Sequence, residues 1–410
     1  MRTTKGASQS ARGWRASASR RTALSVALAI CAGSGPAFAG EGVKVYNDDK
    51  GDSISLFGII DSGIMTQTKS CDPSGVSCKG DKGSRTYMQE NGLRQSVWGI
   101  KGGSGDLGLG NNTTAFFNLE SHIDISTGFL HGTGDALENG GTTPLFRRQA
   151  NVGLTGDWGT LIWGRQYGPA LLADLYTEPR FFKEQFSGLY QWAYGQLDPV
   201  AHGGQGSAKN TNNDVGIFFL NSVQYRKTFG PVSLGVLYSF GGESGSFSSG
   251  SAYAIGLEYK GPVILSGSFE QMKDTVTGNV VIDHKSAGFA VPLGDYTVKF
   301  LFQEAKHNAA SGNETDNVDT YGIGADWKWN AKNTATLAYY YSHDKDVTGD
   351  STNSIVLSDD LSLNKWVTMY FQSVYVHSGS SPGFATSIVS TGPQAPGGEF
   401  LFNVGVNFSF

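Results

Sequence analysis

The sequence predicts an all-β fold, a transmembrane antiparallel β-barrel of about sixteen strands in one domain. Three observations predict it. From Ser53 to Phe410, polar and apolar residues alternate with a period of two in run after run, as strands do when their two faces meet different surroundings. The connections alternate between short and long, which is the asymmetry between the two ends of a membrane barrel. After the N-terminal segment no stretch reaches the roughly 18 apolar residues that a membrane helix needs. The slightly negative mean hydropathy is compatible with a membrane barrel, because lumen-facing and lipid-facing residues cancel in an average.

Residues 1–39 read as an export signal. Arg2, Lys5, Arg12, Arg15, Arg20 and Arg21 make a basic start without acids, residues 22–32 are small and apolar, and Ala37-Phe38-Ala39 has the form of a signal-peptidase site before Gly40. The apolar run is too short to serve as a spanning anchor. Taking these six basic residues from 31 leaves 25 Lys+Arg against 36 Asp+Glu, a net charge of −11 for residues 40–410. A nucleic-acid binder would show the opposite footprint. Export leaves two cysteines, Cys71 and Cys78. A disulfide between them suits an oxidising compartment. A two-cysteine metal site is the rival, but no histidine lies nearby.

The first strand places Ile54, Leu56 and Ile60 on one face and Ser53, Ser55 and Asp61 on or near the other. A polar loop with the cysteines follows, then a run at 95–101, a Gly-rich turn and a long strand at 112–126. There Phe117, Leu119, Ile123 and Ile125 oppose Thr114, Asn118, Glu120 and His122. Runs at 148–154 and 159–167 meet at the tight turn 155–158. A long connection, 169–213, comes next, rich in aromatics and charges and without a clear strand. Loops of that length in compact domains are uncommon unless functional, and in a barrel a loop of that length can fold inward and narrow the lumen. Eleven further runs, at 216–227, 232–240, 252–259, 263–272, 282–291, 296–306, 318–329, 334–344, 354–361, 366–377 and 399–410, bring the count to about sixteen. Trp327, Trp329, Tyr339, Tyr340, Tyr341, Trp366, Tyr370 and Phe371 crowd near strand ends, as interfacial girdles do. Val404, Val406, Phe408 and Phe410 form an apolar face suited to closure onto the first strand.

Several segments resemble the Gram-negative general porins: LFGIIDSG at 56–63, WGIKG at 98–102, LESHIDISTG at 119–128, RRQANVGLTGDWGTLIWGRQYG at 147–168, NSVQY at 221–225 and the closing FNVGVNFSF. The resemblance implies a sixteen-stranded outer-membrane barrel, commonly a homotrimer, whose third external loop, here 169–213, folds inside, and which passes small hydrophilic solutes without a cofactor. It implies outer-membrane lipid and lipopolysaccharide as surroundings, and a barrel-assembly machinery that engages the C-terminal Phe410.

It also implies a constriction in which loop acids face wall arginines, since rings of charge at close quarters set ion preference. Arg148 fits the family's strand-four arginine. Val97 and Phe218 stand where the family commonly carries two more, so a weakened anion preference is expected. Lys101 keeps the lumen parity of position 97 and adds a weaker charge near the rim. Arg165 matches the family but shares parity with Leu161 and Trp163, so a structural role stands beside a pore role. Arg94 and Arg147 have the opposite parity and are not counted. The acids are Asp174, Glu178 and Glu184 on the loop and Glu120 on the wall.

The loop aromatics Tyr176, Phe181, Phe182, Phe186, Tyr190, Trp192 and Tyr194 either pin the loop or form a track for sugars or ring-bearing solutes. The second use would make a substrate-selective channel. A barrel hydrolase is a further alternative, but the G-x-S-x-G match at 379–383 lacks a strand-turn-helix setting. His122 is the one lumen-face candidate base. No metal-ligand motif is present in the sequence.

Overall fold

Alternation of side chains decides which way each strand faces. Leu337, Ile355, Leu357 and Val404 are each half or more exposed, while Thr336, Val356 and Asn403, their neighbours in sequence, are buried. One face of each strand therefore meets lipid and the other meets the lumen. The computed structural model describes residues 42–71, 78, 80–130, 144–188, 210, 213–214, 217–383, 386–388 and 393–410. The segment 1–39, read as an export signal, lies outside the described residues.

In chain order the strands are β1 (Val43–Asn47), β2 (Ser53–Gln67), β3 (Arg85–Glu90), β4 (Val97–Gly103), β5 (Thr114–His122), β6 (Gln149–Gly156) and β7 (Gly159–Tyr167). The short helix α1 (Pro169–Asp174) and β8 (Asn213–Asp214) follow. Then come β9 (Phe218–Phe229), β10 (Val232–Ser239), β11 (Ala252–Lys260), β12 (Ile264–Lys273), β13 (Val280–Leu293) and β14 (Tyr296–Asn308). The chain ends with β15 (Glu314–Trp327), β16 (Asn333–Asp344), β17 (Ser351–Ser362), β18 (Val367–Ser378) and β19 (Gly397–Ser409). β3 and β4 pair in turn with β2 and form one interrupted wall strand, while β1 and β8 are short partners of β2 and β9. The wall is thus a closed antiparallel barrel of sixteen strands.

β19 closes the barrel against β2, from Leu401↔Gln67 to Ser409↔Ile59. Gly58 and Phe410 extend the seam with backbone hydrogen bonds of 3.1 and 2.9 Å. Beyond Phe410, β1 takes over as the partner of residues 53–56. Both ends of the described barrel therefore contribute to one seam, which leaves no open edge in lipid.

Two departures from the sequence reading have local causes. β5 stops at His122, because the Asp124 carboxylate accepts hydrogen bonds from the Ser126 and Thr127 amides at 2.7 and 3.3 Å and turns the chain. The polar loop expected before residue 95 contains β3, whose Met88 faces outward while Gln89 is buried. Cys71 and Cys78 form a disulfide with a Cα–Cα distance of 5.6 Å.

Between β3 and β4 the chain leaves the wall over residues 91–96. Asn91 takes a left-handed φ of 66°. The buried Asp61 carboxylate of β2 accepts the backbone amides of Gly92, Leu93 and Arg94 at 2.8, 3.1 and 3.2 Å, the Tyr370 hydroxyl at 2.9 Å and the Asn407 amide at 2.9 Å. Three successive amides aimed at one carboxylate make an anion nest, and its hydrogen bonds to a charged acceptor are of the strong class.

Candidate functional site

A buried polar node sits where β5, β6, β7 and β9 adjoin. Arg148 makes an ion pair with Glu120 and donates a hydrogen bond to the Tyr167 hydroxyl. Gln149 donates to the other Glu120 oxygen at 3.0 Å. The Arg148 guanidinium lies 5.2 Å from the Phe218 ring centre and 5.6 Å from that of Tyr167, and the two rings are 4.5 Å apart. Arg165 is also buried, its guanidinium 5.9 Å from the Phe218 ring centre. The aromatic ring at position 218 thus packs against both arginines as a cation–π partner.

Val97 is buried on β4, in register with His122 of β5. Lys101 is half-buried four residues further along β4, 5.2 Å from the Phe57 ring.

The connection after β7 supplies the acids, each in a different setting. Asp174, at the end of α1, accepts hydrogen bonds from the Ser268 and Ser286 hydroxyls at 3.2 and 2.5 Å. Its carboxyl is pushed up to about 6 by burial, against the lowering effect of those hydroxyls. Glu178 is fully buried and accepts four hydrogen bonds, from the Arg180, Phe182 and Gly188 amides at 2.7, 2.7 and 3.1 Å and from the Tyr340 hydroxyl at 2.6 Å. This carboxylate organises a turn in which Phe181, Phe182 and Phe186 all take positive φ, at 61°, 46° and 61°. Such backbone costs on the order of 1–3 kcal/mol per residue and persists where the surroundings over-determine it.

Further along, Lys183 pairs with Asp360 of β17, and the Glu184 amide donates to the Leu93 carbonyl at 3.3 Å. Phe186 packs with Met65, Tyr340, Val356, Val374, Val376 and Leu401. Those wall residues occupy the strand face opposite Ile355, Leu357, Phe400 and Phe402, which are 41–52% exposed. Tyr190, Trp192 and Tyr194 lie outside the described residues.

Arg94, Arg148, Lys183, Glu184 and Asp360 line one cavity of about 770 Å³, together with Phe181, Trp366 and Phe410. Of the predicted charges, the structure brings together Arg148, Glu120 and Glu184. Asp174 and Glu178 go to separate wall sites, and Arg165 is adjacent to Phe218. Glu184 is half-buried, and its carboxyl is pushed up to about 8 by burial, with Arg148 pulling it down and Asp61 and Glu90 adding to the rise. Arg94, Lys183 and Asp360 were not among the predicted residues. Arg94 was excluded by parity, and parity does not carry across residues 91–96, because that segment is not strand. The Asn91-Gly92 dipeptide was the available signal, since it is a turn former.

Among solved structures, the chain is similar to an anion-selective porin from Comamonas acidovorans (TM-score 0.67, 22% identity, 88% of this chain and 100% of that one). It is also similar to OmpF of Salmonella typhi in complex with daunomycin (0.59, 16%, 90% and 100%) and to the outer-membrane protein OmpT of Vibrio cholerae (0.59, 11%, 89% and 99%). At these identities the likeness is one of fold. A search of curated protein sequences found no match. A family model described as Gram-negative porin matches residues 23–380. With that match, a closed sixteen-strand wall and a lipid-facing apolar exterior, the chain belongs to the Gram-negative porins, outer-membrane channels for small solutes.

Proposed function

We propose that this porin works as a homotrimer, without a catalytic step, and that its lumen is narrowed by the inward-folded connection 169–213. The seat of Phe186 carries this reading. Phe186 packs among Val356, Val374, Val376 and Leu401, the strand faces turned away from lipid. The same connection reaches β12 and β13 through Asp174, β16 through Glu178 and β17 through Lys183. Contact of residues 174–188 with so many inward faces supports a path through the lumen. The trimer is supported by the fold, which is shared with a trimer form of OmpT from Vibrio cholerae.

The charges support a weak anion preference at neutral pH. Arg148 is balanced by Glu120 and Lys183 by Asp360. Glu184, raised to about 8, is mostly uncharged at pH 7. The constriction then retains a modest positive excess rather than the arginine cluster implied by the family resemblance. One fold neighbour is described as anion-selective, and a weaker form of that behaviour is the expectation here.

Single-channel recording of purified protein in a planar bilayer tests the proposal. Three linked conductance steps per insertion are expected, with a larger step in Phe186→Ala, whose loop loses its apolar seat. Single isolated steps would remove the trimer, and an unchanged step size in Phe186→Ala would remove the loop from the narrowing.

A further inference from the structure

We propose that Arg94 is a specificity-determining cation of this channel, delivered into the lumen by the excursion 91–96, and that Asp61 is its positioning residue. This inference rests on the constriction reading above. Position 97 on the regular strand holds a buried valine, so the wall there offers no charge. Three residues earlier the chain has left the wall, and Arg94 lines the same cavity as Arg148, Lys183 and Glu184.

Among the described residues, Arg148 and Lys183 each form an ion pair with a carboxylate, with Glu120 and Asp360 respectively, while Arg94 forms none. A charge paired directly with a neighbour gives little net field to a passing ion, whereas Arg94, which has Asp61 and Asp360 as nearby carboxylates but no ion pair, keeps part of its field. Among the described residues Lys365 is the other lining cation without an ion pair, but it lies in the exposed turn between β17 and β18. Arg94, held against the long connection, is the one placed to act on small anions, whether inorganic or carboxylate.

Its position is over-determined by a set of hydrogen bonds to the wall. Asp61 gathers the amides of Gly92, Leu93 and Arg94. Ser96 is locked to β2 by reciprocal bonds with the Asp61 backbone at 3.0 and 3.1 Å, and Gln372 donates to the Gly92 carbonyl at 2.9 Å. Gly92 has to be glycine, because a Cβ there would lie 2.1 Å from the Tyr370 hydroxyl oxygen. The Leu93 carbonyl accepts the Glu184 amide, which fixes the excursion against the long connection. The two elements thus meet as opposing lips of one opening.

The test is the chloride-to-potassium permeability ratio, read from reversal potentials in a potassium chloride gradient. One unit charge acting through water at about 7 Å enriches chloride roughly threefold, so Arg94→Gln is expected to lower the ratio by about that factor. Gly92→Ala leaves every charge in place and displaces the excursion, so it should lower the ratio in the same direction. Adding it to Arg94→Gln should change little further. The heat-dependent gel mobility of a folded barrel shows which variants have folded.

A ratio that falls in Arg148→Gln but is unchanged in Arg94→Gln overturns this proposal and leaves the constriction standing. If neither substitution moves the ratio, the constriction reading fails, and this inference fails with it. If Arg94→Gln moves the ratio and folded Gly92→Ala does not, Arg94 keeps its role and the positioning by the Asp61 nest is refuted.

Discussion

Replacing Tyr340 by phenylalanine removes one hydroxyl and no ring, and it should loosen the long connection without harming the barrel. Glu178 holds that connection with four hydrogen bonds, one of them from Tyr340 at 2.6 Å. Both side chains are buried, at 0% and 1% exposure, so solvent does not replace a lost donor. A hydrogen bond to a charged partner contributes about 1.5–3 kcal/mol. Losing one of four should therefore raise the population of the detached loop roughly 10- to 150-fold, with the lower end favoured because three donors remain. Glu178→Gln should act more strongly, since each Glu178 oxygen accepts two of the four bonds and the amide nitrogen that replaces one of them cannot accept, so two bonds are lost rather than one. The assays are open-channel current noise and protease cleavage within 176–188, compared across parent, Tyr340→Phe and Glu178→Gln. Noise and cleavage should rise in that order while barrel heat-stability stays near the parent's. Equal noise in all three folded proteins would refute the claim that this carboxylate fixes the loop.

Three further outcomes follow from the same geometry. Glu184 is uncharged below about 8 and ionises as the pH rises through that value, so the permeability ratio should move toward cations between pH 7 and 9; Glu184→Gln should remove that pH dependence, as reversal potentials at each pH would show. Arg148→Ala leaves Glu120 buried and unpaired, which costs about 3–5 kcal/mol; the unfolding temperature and the anion preference should both fall, and adding Glu120→Gln should recover much of each. Reducing the Cys71–Cys78 disulfide frees a short loop, worth about 2 kcal/mol of local constraint; protease nicking near residue 75 should speed up while conductance holds.

The wall was legible because its signal is repeated. Each strand restates the alternation, so a misplaced end such as residue 126 for His122 changes no facing. β3 was missed because its exposed Met88 is the main apolar residue in a polar run. The charged site was less legible. Arg148 and Glu120 share lumen parity and do meet, whereas parity extended from position 97 back through Ser96 and Gln95 excludes Arg94, and the backbone there has left the sheet. Glu178 and Asp174 read as pore acids because acid identity is visible in a sequence and direction is not. Their carboxylates turn to backbone amides and serine hydroxyls instead. Nothing in the sequence marks the left-handed Phe181, Phe182 and Phe186, since aromatic residues seldom take that conformation. At position 218, phenylalanine in an arginine position reads as a lost charge. In the fold it is also the ring that two arginines approach.

The central claim is a passive channel narrowed by a loop and carrying a small positive excess. Single-channel current across a planar bilayer in a salt gradient, with purified folded protein at pH 7, tests it most directly. The account predicts stepwise conductance with a reversal potential slightly on the anion side. A silent bilayer from a demonstrably folded barrel would contradict the channel, and a strongly cation-selective step would contradict the charge arrangement.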